Sequence, residues 1–332
     1  MTSRPPGQSP GQPPRQRPRQ PPTQDEVLAY FDELSNWGRW GPDDERGTLN
    51  FVTPDVVRRA VATVTEGVGV SCALDIVAEH RPDQIAGAPQ RHMLVTGEPA
   101  DPRDPQRSRA WGPMEYIGLA FHGFDVTHVD ALAHGVWEGR LYNGRPAASV
   151  TARSGALEQS VLAAASGITT RGVLLDIPPV RSVAWLGGGD GVFPEDLEAA
   201  EERQGVRVGP GDAVLLRTGY GAKRRRHGHE DMLATGQPGW HAACLPWLHE
   251  RQVALIGSDT SQEVVPSGYD RPALPVHRVG IVAMGLWLLD NGDFEDPAEW
   301  CDRLGRWEFL FVTGPLRIDG GTGSPVNPIA LF

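Results

Sequence analysis

Gly172-Val173-Leu174-Leu175-Asp176-Ile177 is apolar at every position but Asp176, and not at alternate ones only. Side chains of a strand alternate between its two faces, so such a run suits a strand buried on both sides. Working outward, strand-length apolar runs recur at Asp212–Arg217, Val253–Gly257 and Leu286–Leu289. Helical patterns separate them: Pro194–Arg203 with Gly205 behind it, Trp240–Arg251, and Pro275–Met284. Further upstream, Gly155–Ser166 reads as a helix closed by Gly167, and Val68–Ile76 as a strand. Downstream, Trp307–Ile318 reads as a late strand. Near the start, Thr23-Gln24-Asp25-Glu26 is a capping box opening a helix through Leu34. Thr53-Pro54 opens another, running to about Thr65 before Gly67. Continuous apolar strands between helices predict one α/β domain with a sheet covered on its faces. No internal repeat interrupts it.

Bulk properties narrow the function. Of the 332 residues, 39% are hydrophobic and 22% charged, which suits a chain that buries a core. No stretch approaches the roughly 18 consecutive apolar residues of a membrane span. A net charge of −11 argues against nucleic acid as a partner. The basic run Lys223-Arg224-Arg225-Arg226-His227 is expected to be an exposed loop. Gly187-Gly188-Gly189-Asp190 lacks the Lys-Ser/Thr of a phosphate loop and is expected to be a flexible connection. No GxSxG supports serine-hydrolase chemistry. Cys72, Cys244 and Cys301 are scattered without a CxxC pair, as in packing thiols of a reducing cytoplasm. Residues 1–22 are rich in Pro, Gln and Arg and contain no large apolar side chain after Met1. They lack the apolar core of a secretory signal and are expected to be disordered.

The densest polar cluster lies in an apolar setting: Phe121-His122-Gly123-Phe124-Asp125-Val126-Thr127-His128-Val129-Asp130-Ala131-Leu132-Ala133-His134. His128 and Asp130 are two apart and share one face of an extended segment. An imidazole nitrogen and a carboxylate oxygen projecting together suit Zn²⁺ or Mn²⁺. Ala131-Leu132-Ala133 can turn the chain and bring His134 back. Spacing alone leaves a second reading open, in which these are hydrogen-bonded core residues without a metal.

Thr127–His134 followed by Leu141-Tyr142-Asn143-Gly144 resembles the metal motif of the cyclase family, which includes kynurenine formamidase and isatin hydrolase. Trp40–Asn50 resembles the entry segment of that family's longer members. Gly172–Ile177, Gly211–Gly219 and Leu255–Thr260 resemble its later strands. Leu274-Pro275-Val276-His277 and Leu289-Asp290-Asn291 resemble its C-terminal half-site. The likeness runs in order over roughly residues 35–315.

The resemblance implies a single domain over residues 23–332, with a mixed, barrel-like sheet flanked by helices in the swivelling β/β/α manner. It also implies a homo-oligomer, a dimer or tetramer. His128 and Asp130 match the metal ligands, and His134 the general acid/base. His277 matches a further ligand or active-site histidine, and Asp290 stands where a ligand glutamate is usual. Smaller members carry a histidine at the position of Phe124; His122, two residues earlier, is the nearest substitute and requires the chain to bend. Asp290 is one methylene shorter than glutamate, which leaves its reach open. Trp37, Trp40 and Phe124 are candidate walls of the substrate pocket. The implied activity is hydrolysis of an amide, lactam, lactone or ester in a small, often aromatic, carbonyl compound. Cyclisation or dehydration at the same site is the alternative, and a binding protein with degenerate ligation is a third reading.

Overall fold

The computed structural model describes residues 19–96 and 112–332. Gly172–Ile177 is the visible part of a longer strand, Ile168–Asp176, which lies in the interior of a nine-stranded sheet. In chain order the strands are β1 (Gly69–Ser71), β2 (His128–Asp130), β3 (Ile168–Asp176), β4 (Ala213–Arg217) and β5 (Leu255–Ser258). They continue as β6 (Trp287–Asp290), β7 (Glu308–Thr313), β8 (Gly323–Pro325) and β9 (Ile329–Leu331). Their order across the sheet is β1-β9-β7-β3-β4-β5-β6-β2-β8. The four strands β3, β4, β5 and β6 run parallel, and the pairings outside them are antiparallel. The sheet curls into a mixed half-barrel flanked by helices, in a single α/β domain.

Burial explains why the parallel strands read as unbroken apolar runs. Val173, Leu174, Leu175, Val214, Leu215, Leu216, Leu255 and Ile256 are fully buried. Helix Pro54–Val61 packs on β3, as does helix Pro194–Gln204. The helices begin where their caps predict. Thr23 accepts from the Glu26 backbone N–H while the Glu26 side chain takes the Thr23 N–H, so both halves of the capping box are formed. Thr53 caps the next helix, with Pro54 in its first turn.

Several expectations need correction. Gly155–Ser166 is not a helix: Gly155–Ala156 pairs with Val150–Thr151, and only Val161–Ala164 forms a short 3-10 turn. Gly155 has φ +64°, and a Cβ there would lie 2.3 Å from the Gly320 carbonyl oxygen. The chain is therefore held against a neighbouring backbone instead of coiling. The helix expected from Trp240 starts only at Cys244, because Gly239–Trp240 pairs with Gly191–Val192. Lys223–His227 belongs to the helix Tyr220–His227, not to a loop. There Arg224 is buried and Arg225 reaches Asp293 and Asp296. A hairpin of Gln90–Val95 and Met114–Gly118 and a helix at Glu295–Leu304 went unread in the sequence. Among the described residues, no helix is long and apolar enough to cross a membrane. Of the segment expected to be disordered, residues 1–18 lie outside the described residues. Arg19 forms an ion pair with Asp196 at 2.6 Å, and the Pro22 carbonyl accepts from the Tyr269 hydroxyl.

Candidate metal centre

Strand β2 lies between β6 and β8 and is antiparallel to both. The period of two puts His128 and Asp130 on one face of it. Its register sets His128 directly opposite Asp290 at the carboxyl end of β6. The short turn Leu132–His134 then folds His134 back, with its N–H donating to the Ala131 carbonyl. Residues outside the carboxyl ends of parallel strands are where ligands bind in sheets of this kind, and Ser261-Gln262-Glu263 lie just past the end of β5.

Four imidazoles and two carboxylates meet at this place. The shared centre is Asp130, fully buried. Its Oδ1 is 2.9 Å from His122 Nδ1 and 3.5 Å from His128 Nε2. Its Oδ2 is 3.6 Å from His277 Nε2 and 3.8 Å from His134 Nε2. Asp290 Oδ2 is 3.5 Å from His277 Nε2 and 3.8 Å from His128 Nε2. Despite its shorter side chain, Asp290 therefore reaches the cluster. His122 reaches it too, because residues 121–126 bend sharply: its ring stacks on His134 with centroids 3.9 Å apart. Gly323 beside Asp130 leaves room for that ring, since a Cβ there would meet His122 Cε1 at 2.9 Å.

The contacts inside the cluster are close without being hydrogen-bonded. Both oxygens of Asp130 and Nδ1 of His122 are buried without a hydrogen-bond partner among the described residues, although 2.9 Å separates two of these atoms. Misaligned donor atoms at such distances suit convergence on a common ion. Ligand atoms each about 2.1 Å from one tetrahedral ion stand ~3.4 Å apart. Two groups of three satisfy mutual convergence, His122–Asp130–His134 and His128–Asp130–Asp290, and Asp130 belongs to both. Mixed imidazole and carboxylate donors fit a divalent cation such as Zn²⁺ or Mn²⁺.

The second layer orients these groups. His128 Nδ1 lies 2.8 Å from the Val126 carbonyl, leaving Nε2 for the cluster. His122 Nε2 is 3.1 Å from Thr322 Oγ1, so its Nδ1 faces Asp130. His277 Nδ1 bonds Glu263 Oε2, and the His277 backbone N–H donates to Glu263 Oε1 at 2.6 Å. Gln262 donates to Asp290 Oδ1 at 2.9 Å. Burial alone would raise the Asp130 carboxyl, but the imidazoles of His134, His122 and His128 outweigh it and hold it well below the usual range. Burial pushes His134 down to about 4 against the pull of Asp130. His277 is driven well above its ordinary value, because the carboxylates of Glu263 and Asp290 overcome its burial.

The cluster opens into a cavity of about 350 Å³. Phe124, Leu233, Val265, Leu274 and Ile281 give it an apolar wall, and Ser261 and Arg278 line it as well. Phe124 offers no donor atom and lines this cavity. Trp37 and Trp40 are placed elsewhere. The Trp37 indole N–H donates to the Val282 carbonyl at 2.6 Å and lines a separate groove with Phe31 and Trp137. Trp40 packs edge-on against Phe51 with centroids 5.0 Å apart. Glu263, Gln262, Thr322 and Arg278 were missed in the sequence. The one available signal was the polar run Ser258–Glu263 following a buried strand.

A family model described as "Putative cyclase" matches residues 93–262, just over half of the chain. A crystal structure described as a novel cyclase is 29% identical, with a TM-score of 0.79 over 91% of this chain and 99% of that one. Isatin hydrolase A from Labrenzia aggregata superposes with a TM-score of 0.57 at 19% identity, over 83% of this chain and 99% of its own. Isatin hydrolase A from Ralstonia solanacearum gives 0.55 at 22%, over 84% and 97%. At those identities the two hydrolases bear on the fold alone. A search of curated proteins returns no match.

Proposed function

The chain belongs to the cyclase family, and from that premise we propose that it is a metal-dependent hydrolase of an amide, lactam, lactone or ester bond in a small carbonyl compound. The observation that carries this reading is the buried Asp130, whose two oxygens lack hydrogen-bond partners among the described residues while four imidazole nitrogens crowd them. His122, His128, Asp130, His277 and Asp290 would hold the ion. A bound divalent cation supplies Lewis acidity: it lowers the pKa of water toward about 7 and polarises a carbonyl.

His134 is the proton carrier in this reading. It is about one-third exposed on the cavity side of the cluster, whereas His128 is buried. Burial keeps its imidazole neutral at pH 7, which is the form able to accept a proton. Asp130, 3.8 Å away, stabilises the imidazolium formed when water gives up its proton. The water oxygen bonds to the acyl carbon, the C–N or C–O bond breaks, and His134 returns the proton to the leaving nitrogen or oxygen. Glu263 orients the His277 ring by bonding its Nδ1, which turns Nε2 toward Asp130 and Asp290, and the apolar wall that includes Phe124 excludes competing water. The isatin hydrolases that share the fold act on a cyclic amide of an aromatic compound by their name, which favours a lactam or aryl amide in the first panel tested.

The test is hydrolysis of a panel of aryl amides, lactams and esters by purified protein, followed by mass spectrometry. A gain of 18 Da that depends on Zn²⁺ or Mn²⁺ and disappears with chelator is the expected result. Loss of 18 Da from a substrate would replace hydrolysis by dehydration. Full activity in metal-free protein would overturn the reading.

A further inference from the structure

One cation lines the catalytic cavity without an assigned task. The carboxylates of the site are all engaged. Asp130 faces four imidazoles, Asp290 faces His128 and His277 and accepts from Gln262, and Glu263 holds His277 at two points. Arg271, seven residues before Arg278, is paired with Glu138 at 2.6 Å. The guanidinium of Arg278 has neither an ion pair nor a hydrogen bond among the described residues, yet it lines the cavity next to His277. It is half-buried, in a cavity that the apolar wall and the cluster share. A cation left unpaired in a mostly apolar cavity is poorly solvated, and an anionic ligand group would satisfy it.

The geometry points to Arg278 as the residue that reads a carboxylate on the substrate. This rests on the hydrolase reading of the same site. The guanidinium presents a planar fork of N–H donors that matches a carboxylate with two parallel hydrogen bonds. Phe124, Leu233, Leu274 and Ile281 receive the apolar body of the same molecule. His277 and Arg278 line the same cavity of about 350 Å³, so the carboxylate and the bond to be cleaved belong to one compact molecule. The substrate class is therefore a compact, apolar acyl compound that carries a carboxylate apart from the scissile carbonyl.

The probes are 3-phenylpropionate and 3-phenylpropionamide, which differ in charge and little in shape. Their binding to Zn²⁺-loaded protein is measured by calorimetric titration for the native chain, Arg278→Met and Arg278→Lys, with melting curves showing that each variant is folded. The acid binds roughly tenfold or more tightly than the amide to the native chain, as a charge-assisted bidentate contact requires. Arg278→Met removes the preference, and Arg278→Lys keeps part of it. An undiminished preference in Arg278→Met places the carboxylate at the histidine cluster instead and overturns the proposal. So does equal affinity for acid and amide in the native chain, or no binding of the acid. If the preference follows Arg278 but no amide, lactam or ester is cleaved, the hydrolase reading fails while the carboxylate site stands.

Discussion

At the residue scale, the sequence displayed the centre of the site better than its rim. His128, Asp130 and His134 were legible because period-two spacing and a short turn are local properties. His122 and Asp290 stayed open, since whether they reach depends on a bend and on a strand register that no local pattern encodes. Glu263 was invisible for a related reason: its carboxylate matters through His277, fourteen positions on. His134 carries a sharp prediction. It faces the cavity and is held neutral, and it also stands in one of the two convergent groups with His122 and Asp130. If its work is proton transfer, His134→Ala retains the metal and loses about 10²–10⁴-fold in kcat. Metal analysis and steady-state kinetics on the same preparation decide it. Loss of metal along with activity would make His134 a ligand.

At the element scale, the apolar strands and capped helices were readable, whereas short irregular pieces were not. Gly155–Ser166 has helical composition, yet contact with the Gly320 backbone overrides it. The bend that brings His122 to Asp130 depends on Asn291, which follows β6. Its side-chain amide donates to the Gly123 carbonyl at 2.7 Å and the Val126 carbonyl at 3.1 Å. Its backbone has φ 55°, a left-handed conformation that asparagine tolerates better than most residues. Asn291→Ala is expected to cost about 2 kcal/mol, one for each lost hydrogen bond, and to weaken metal retention through His122. Denaturant unfolding and chelator competition measure the two effects, and unchanged metal retention would show that the bend holds itself. A second prediction concerns His241, before helix Cys244–Glu250. Its ring stacks on Phe193 and its Nδ1 accepts from the Ala243 N–H. Burial lowers its pKa to about 4. Between that value and the ordinary ~6.5, the unfolded chain binds a proton that the native chain refuses. Stability therefore falls as pH drops from about 6.5 to 4. His241→Phe should flatten part of that slope, whatever it does to stability at pH 7.

At the scale of the whole molecule, the candidate ligands come from distant parts of the chain: the bend and β2, the segment after Pro275, and the end of β6. In the unfolded chain these groups are far apart, so an ion that needs several of them binds the native state alone. Metal binding then adds stability as RT ln(1 + [M]/Kd), about 4 kcal/mol when free metal is a thousandfold above Kd. With an unfolding entropy of ~2.1 cal/mol/K per residue over the 314 residues from Arg19 onward, that amounts to roughly 6 °C in Tm. The apo protein should gain nothing from Mg²⁺ at the same concentration, because imidazole donors suit Zn²⁺, whereas Mg²⁺ prefers oxygen ligands. Asp130→Ala should abolish the Zn²⁺-dependent gain, since Asp130 belongs to both convergent groups. Losing His122 alone should only reduce it. Scanning calorimetry of chelated and reloaded protein, in the native chain and in Asp130→Ala, measures this directly. An identical Tm with and without Zn²⁺ in the native chain, together with no bound metal by elemental analysis, would show that the orphaned carboxylate is stabilised by its imidazoles alone and that the cluster holds no ion.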